Sequence, residues 1–376
     1  MINKKIILSL TFFMFCYPSF SSDIENLILP EGFKISLYAE DVKSARQITE
    51  SVNGTIFIGS KSGNSVIALI DNNNDNYAET KIIIASDLSN PTGVALKNGD
   101  LYFSEINKIW VVKNIDEYIE NGAYAEPPSK EIYTDQLPSD SWHGWKWLGF
   151  GPDNSLYVPV GAPCNICIEP LQKDYRYASI HKVKEDGSME VVASGVRNSV
   201  GFDWHPGTKK LYFSDNGRDW LGDDSPSCEL NVVNSDGDFF GYPYKHASDV
   251  FDPKYGNIMV NKEFNDPILE LGAHVAPTGI AFYNGNAFPD DYKNDLFITL
   301  HGSWNRTKKV GYKVISVSFD DEGNYLSHAD FISGWLQGQK VSGRPAAVFV
   351  KSDGSLLISD DKANVVYRVT YSPDLI

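Results

Sequence analysis

One short phrase recurs along the chain: TIFIG (Thr55 to Gly59), LYFSE (Leu101 to Glu105), LYVPV (Leu156 to Val160), LYFSD (Leu211 to Asp215), LFITL (Leu296 to Leu300) and LLISD (Leu356 to Asp360). Each copy has the β-branched and aromatic content of a buried strand. Most follow a reversal signal such as Asn53-Gly54, Asn98-Gly99, Pro206-Gly207 or Asp353-Gly354, and a further apolar segment comes after, such as Val66 to Leu69 or Val366 to Val369. Copies spaced by roughly 45 to 60 residues, with one longer interval, read as propeller blades. A single sandwich would make the similar punctuation of every copy a coincidence. A four-stranded blade cannot bury both of its faces alone, so blades stacked around an axis turn each copy into a core strand. The chain is therefore expected to be an all-β, six-bladed β-propeller.

The most complete unit runs from Ala193 to Asn231. Asn198 to Trp204 reads as a buried strand, His205 to Lys210 as a turn, Leu211 to Ser214 as the next strand, and Leu230 to Val233 as a third after an acidic, glycine-containing loop. Outside the repeats, Glu31 to Tyr38 is expected to pair beside Val365 to Tyr371 and so close the ring, which removes two exposed sheet edges. Asn114 to Gly122 reads as a short surface helix.

Residues 1–21 have a basic tip (Lys4, Lys5), an apolar run from Ile6 to Tyr17 and small residues at Ser19 and Ser21, the pattern of a cleaved signal peptide. Residues 22–376 are then one propeller domain, periplasmic or secreted. Phe13-Met14-Phe15 is too bulky to favour a lipid anchor on Cys16. No later apolar run reaches the length of a membrane helix, so membrane insertion is not expected. The formal net charge of -16 argues against nucleic acid and anionic membranes as partners and suits bound cations.

In an oxidising compartment, Cys164 and Cys167 read as a small-loop disulfide. Haem attachment would need His where Ile168 stands, and a zinc site would need a second ligand pair. Cys228 is left as a free thiol. Asp71 to Glu79 (DNNNDNYAE) places oxygen side chains at alternate positions like the start of a calcium loop, but without the usual glycine, and reads equally as a hairpin turn.

Functional residues are sought at the start of the strand before each repeated phrase, because in a propeller those positions converge at the mouth of the central channel. They are Arg46-Gln47, Pro91-Thr92, Trp142-His143, Arg197-Asn198, Pro277-Thr278 and Arg344-Pro345. A candidate base and several cations facing one space near an acidic loop make a candidate site.

Trp142-His143-Gly144, GVRNSVGFDWHP (Gly195 to Pro206), DNGRDWLGDD (Asp215 to Asp224), HVAPTG (His274 to Gly279) and HGSWNR (His301 to Arg306), with CELN, FFGYP, SGRPAAV and ISDD, resemble the sorbosone and aldose sugar dehydrogenase relatives of soluble quinoprotein glucose dehydrogenase. The resemblance spans roughly residue 23 to the C-terminus. It implies a propeller that oxidises a sugar or related aldehyde by hydride transfer to pyrroloquinoline quinone (PQQ) held by Ca2+, passing electrons to an external acceptor. By the same resemblance His143 is the catalytic base and Arg197 stabilises charge developing on the quinone. Asn198, Arg306, Arg344 and Asp360 contact the cofactor, the carbonyls of Gly217 and Arg218 hold its calcium, and Glu229 with the carbonyl of Phe240 holds a structural calcium. Asp223 and Asp224 either support the first ion from outside its ligand set or are solvated turn residues.

Two positions depart from the family pattern. The acidic residue before the base is Trp142, and the paired arginines of the last blade are reduced to Arg344 followed by Pro345. Trp142, Trp145 and Trp147 read either as a stacking floor for a sugar ring or as blade packing. A calcium-dependent lactone hydrolase and a non-catalytic binding propeller are the competing classes. The hydrolase would bring acidic side chains, not arginines, together on one ion in the channel.

Overall fold

A computed structural model describes residues 24–122 and 124–373. The expected signal peptide, with Cys16, lies outside the described residues. The repeated phrase forms the second strand of each of six sheets: Ile56–Ser60, Asp100–Ser104, Leu156–Val160, Leu211–Asp215, Leu296–Leu300 and Leu356–Asp360. These strands are buried almost throughout, because neighbouring blades cover both of their faces. The fold is a six-bladed β-propeller.

The ring closes as expected. Phe33–Ala39 pairs antiparallel with Val365–Tyr371, from Phe33 opposite Tyr371 to Ala39 opposite Val366. Phe33 then meets Phe288, Phe331 and Tyr371 edge to face with centroids 4.8 to 5.0 Å apart, so an N-terminal ring joins the core between the last two blades. Ile115–Asn121 is the surface helix. The third blade gains a strand that the repeats do not show: Asp238–Phe239 lies parallel to Met189–Ser194. Among the described residues no helix is long and apolar enough to cross a membrane.

The innermost strands depart from the expectation in a way that builds the site. Only Phe202–Trp204 of the expected Asn198 to Trp204 forms a ladder. Ahead of it the backbone N–H groups of Arg197 and Asn198 donate to the Asp215 carboxylate at 2.7 and 2.6 Å. In the first, fifth and sixth blades the ladder registers shift at Ala45/Ile48, Pro277/Ile280 and Pro345/Ala347. Such irregularities bend a strand and redirect its side chains, here at the ends nearest the axis.

The Asp71 to Glu79 segment is the hairpin loop joining Val66–Ile70 to Thr80–Ala85, and it brings carboxylate oxygens of Asp71, Asp75 and Glu79 within 4.8 Å of one another. Cys164 and Cys167 are joined by a disulfide, and Cys228 is a free, buried thiol.

Candidate active site

The strand starts converge. Arg46, Trp142, His143, Arg197, Asn198, Thr278 and Arg344, drawn from five blades, line one central cavity of about 510 Å³. Pro91 and Thr92 are not on its wall; Thr92 Oγ1 instead donates to the Lys146 carbonyl at 2.7 Å and ties the second blade to the third.

His143 is nearly enclosed, with 8 % of its surface exposed. Its Nδ1 lies 2.8 Å from the Ala162 carbonyl. A carbonyl only accepts, so Nδ1 carries the proton and Nε2 bears the lone pair. Burial, and then the neighbouring Arg197 guanidinium, hold its pKa well below the ordinary 6.5. The backbone there is left-handed (φ 51°), uncommon for a residue of this size. Gly161 makes the arrangement feasible, since a Cβ there would stand 2.5 Å from that of His143. In ligand-free protein the His143 ring, followed by NMR, is expected to stay neutral well below pH 6.5. Arg197→Ala is expected to raise its pKa only part of the way back, because burial is the larger cause.

Arg197 is clamped through every guanidinium nitrogen. Nε donates to the Asn165 carbonyl (3.0 Å), Nη1 to the Asn216 carbonyl (3.0 Å), and Nη2 to Asn165 Oδ1 (2.8 Å) and Asp219 (3.3 Å). Asn165 sits inside the Cys164–Cys167 loop, and Tyr242 braces that loop by accepting the Cys167 N–H at 3.3 Å. The small disulfide ring therefore positions an arginine.

Arg344 donates to the carbonyls of His301 (3.1 Å) and Gly302 (2.6 Å). Arg46 pairs with Asp361 at 2.6 Å, and the other oxygen of Asp361 lies 2.8 Å from His301 Nε2. Lys61 projects over the Trp145 ring at 4.1 Å, and burial followed by repulsion from Arg46 lowers its pKa to about 8. Lys61, Asn216, Gly217 and His301 all follow second strands, which run antiparallel to the inner strands and end at the same rim. That topology is the signal that would have revealed Lys61 in the sequence. Arg197 and Arg344 are set by one device used twice: a terminal aspartate of the same blade's second strand, Asp215 or Asp360, accepts the arginine's backbone N–H.

Several predicted residues lie elsewhere. Asp360 is wholly buried; one oxygen accepts N–H groups of Arg344, Lys362 and Ala363, so it shapes the turn under Arg344 and does not face the cavity. Arg306 is not on the cavity wall either: it donates to the Asp223 carbonyl and to Asp224 Oδ1, the latter at 2.8 Å. Its loop carries it outward to the neighbouring blade's acids. Gly217 lines the cavity, while the Arg218 side chain turns away to Asp252. Glu229 is buried beneath, accepting from Asn231 Nδ2 (2.9 Å) and the Ala247 N–H (2.7 Å). Phe240 packs its ring on Phe213 at 4.8 Å. Burial raises the pKa values of both Asp215 and Glu229, and repulsion from Asp215, which faces it across the ladder, raises that of Glu229 further. Trp147 packs into the core, Trp145 forms a wall under Lys61, and Trp142 is half-exposed at the mouth.

Residues 173–372 match the family model described as TrAA12-like. The chain belongs to the TrAA12-like family. It is 37% identical to an uncharacterized protein of Borreliella burgdorferi, over 92% of this chain and 91% of that one. Two solved structures share the fold with a TM-score of 0.75. One is a Trichoderma reesei carbohydrate-active enzyme of family AA12, 21% identical over 92% of this chain and 98% of that chain. The other is the holo form of the PQQ domain of a Coprinopsis cinerea pyranose dehydrogenase, 18% identical over 92% and 97%. In this TrAA12-like chain the cavity sits at the hub of the propeller.

Proposed function

We propose that the chain is a PQQ-dependent dehydrogenase of a sugar or related aldehyde, with Ca2+ as a second cofactor. The observation that carries this reading is the sign of the cavity wall. Arg46, Lys61, Arg197 and Arg344 line a cavity inside a protein of net charge -16, and the carboxylate lining it, Asp219, is committed to Arg197. Such a wall suits a small polyanion, and PQQ carries three carboxylates. Asn198 lines the same wall, and its buried Oδ1 has no partner among the described residues, so an acceptor beside the cavity is left unsatisfied. A hydrolytic calcium centre would need carboxylates where these cations stand.

Bound PQQ would supply the acceptor for a hydride. The protein's own residues do the rest. His143 Nε2 takes the proton of the substrate hydroxyl, and the Ala162 carbonyl keeps the proton on Nδ1 so that the acceptor nitrogen faces the reaction. Arg197 presents a charge that need not reorganise as negative charge develops nearby, since its own nitrogens are already held. Arg344, with Arg46 and Lys61, binds the cofactor carboxylates in place of Arg306, and Asn198 contacts it. The carbonyls of Gly217 and Arg218 are assigned to the cofactor calcium. The Glu229 carboxylate is assigned with the Phe240 carbonyl to the structural calcium; the buried Asn231 Oδ1 beside it, without a partner among the described residues, adds a hard oxygen. The expected signal peptide and the disulfide both fit a periplasmic or secreted protein.

The test is reconstitution. Purified protein given PQQ and Ca2+ together is expected to reduce a dye with one or more aldoses, and chelation should abolish this. Equal activity without PQQ, or no binding of PQQ, would contradict the assignment.

A further inference from the structure

Two tryptophans beside the cavity are exposed yet firmly placed. Trp220 follows the second strand of the fourth blade and Trp304 that of the fifth, and they are 66% and 65% exposed. Their rings meet edge to face, 5.6 Å apart at 89°. Trp304 lines the cavity, as does Trp142, whose ring lies 5.7 Å from that of His143.

The scaffold beneath them is built. Arg306 and Thr307 of one loop bind Asp223 and Asp224 of the other, with 2.8 Å from Arg306 Nη2 to Asp224 and 3.0 Å from the Thr307 N–H to Asp223. Asn305 Nδ2 donates to Asp219 Oδ1 at 3.3 Å, and the other oxygen of Asp219 holds Arg197. The pair of rings is thus referenced to the arginine proposed for catalysis. Trp220 also has a left-handed backbone (φ 72°), a strained conformation for a bulky side chain and one that a solvated loop could avoid with glycine or asparagine.

We propose that Trp220 and Trp304 form a second carbohydrate subsite, so that the preferred substrate carries at least one sugar ring beyond the one placed at His143. The position of the first ring rests on the dehydrogenase reading above. Indole faces stack on the apolar C–H face of a pyranose while hydroxyls reach polar neighbours; Asp224, an exposed carboxylate on the loop that carries Trp220, is an acceptor for them and repels an anionic partner. A docked protein would need a far larger contact than two rings, on the order of 1,200 Å² in total. Continuity with the cavity favours an extension of the substrate.

The probes are maltose and cellobiose against glucose, titrated by calorimetry into the full protein and then compared by kcat/KM on protein loaded with PQQ and Ca2+. Trp220→Ala and Trp304→Ala are expected to lower the disaccharide-to-glucose ratio of both quantities by roughly 3- to 10-fold, the range for loss of one ring contact. Circular dichroism checks that each variant folds. An unchanged ratio in both variants, or an equal loss for both kinds of sugar, would overturn the subsite. The calorimetry needs no turnover. Disaccharide binding lost with Trp220 and Trp304 in a protein that never oxidises sugar would contradict the dehydrogenase reading and support the subsite.

Discussion

His143→Ala is expected to lower turnover by roughly 10² to 10⁴, the span that a positioned general base supplies. The expectation follows from the tautomer. With Nδ1 committed to the Ala162 carbonyl at 2.8 Å, Nε2 is the ring's free acceptor, and burial with Arg197 nearby keeps it unprotonated at neutral pH. Alanine removes that acceptor and leaves the Ala162 carbonyl without its donor, at a cost to stability of about 1 kcal/mol. PQQ affinity, measured by equilibrium absorbance titration, is expected to stay close to wild type, because the cofactor's proposed anchors are the cations. Wild-type turnover in this variant would make His143 a structural residue and remove the base from the mechanism.

Arg197→Ala is expected to slow sugar oxidation by roughly 10² to 10³, the loss typical of removing one preorganised electrostatic group. Arg197→Lys is expected to recover little of it. An ammonium carries the charge but has no planar fork, and the acceptors around Arg197 are arranged for one: the Asn165 carbonyl and Oδ1, the Asn216 carbonyl and Asp219. Both variants also leave acceptors of the Asn165 loop unpaired, so thermal stability must be recorded beside the rate. Rates equal to wild type in Arg197→Ala would mean that the guanidinium serves the fold and not the reaction.

The fold was legible because each repeat carries its own second strand, with a turn signal ahead of most copies, and ring closure by Phe33–Ala39 followed from an apolar segment with no blade of its own. The strand starts located His143, Arg197, Asn198 and Arg344 on one wall by topology alone. Two of the assigned residues lie off the cavity wall, for different physical reasons. Asp360 ends its strand and turns inward under Arg344, whereas Asp361, in the turn just after it, reaches Arg46 and His301. Arg306 lies in a motif that matches the family, yet its loop extends to the acids of the neighbouring blade, a contact set by tertiary placement. Lys61 and Asn165 escaped notice because one follows a second strand and the other sits in a disulfide loop, neither of which the strand starts pick out.

The most direct measurement is a single-turnover one. Protein loaded with PQQ and Ca2+ is mixed anaerobically with an aldose, with protium or deuterium at the anomeric carbon, while the quinone absorbance is followed by stopped flow. Hydride transfer at this cavity predicts loss of the oxidised quinone in one phase, slower with deuterium and slower again in His143→Ala and Arg197→Ala. A quinone that stays oxidised across a panel of aldoses, although PQQ is bound, would contradict sugar oxidation by this protein.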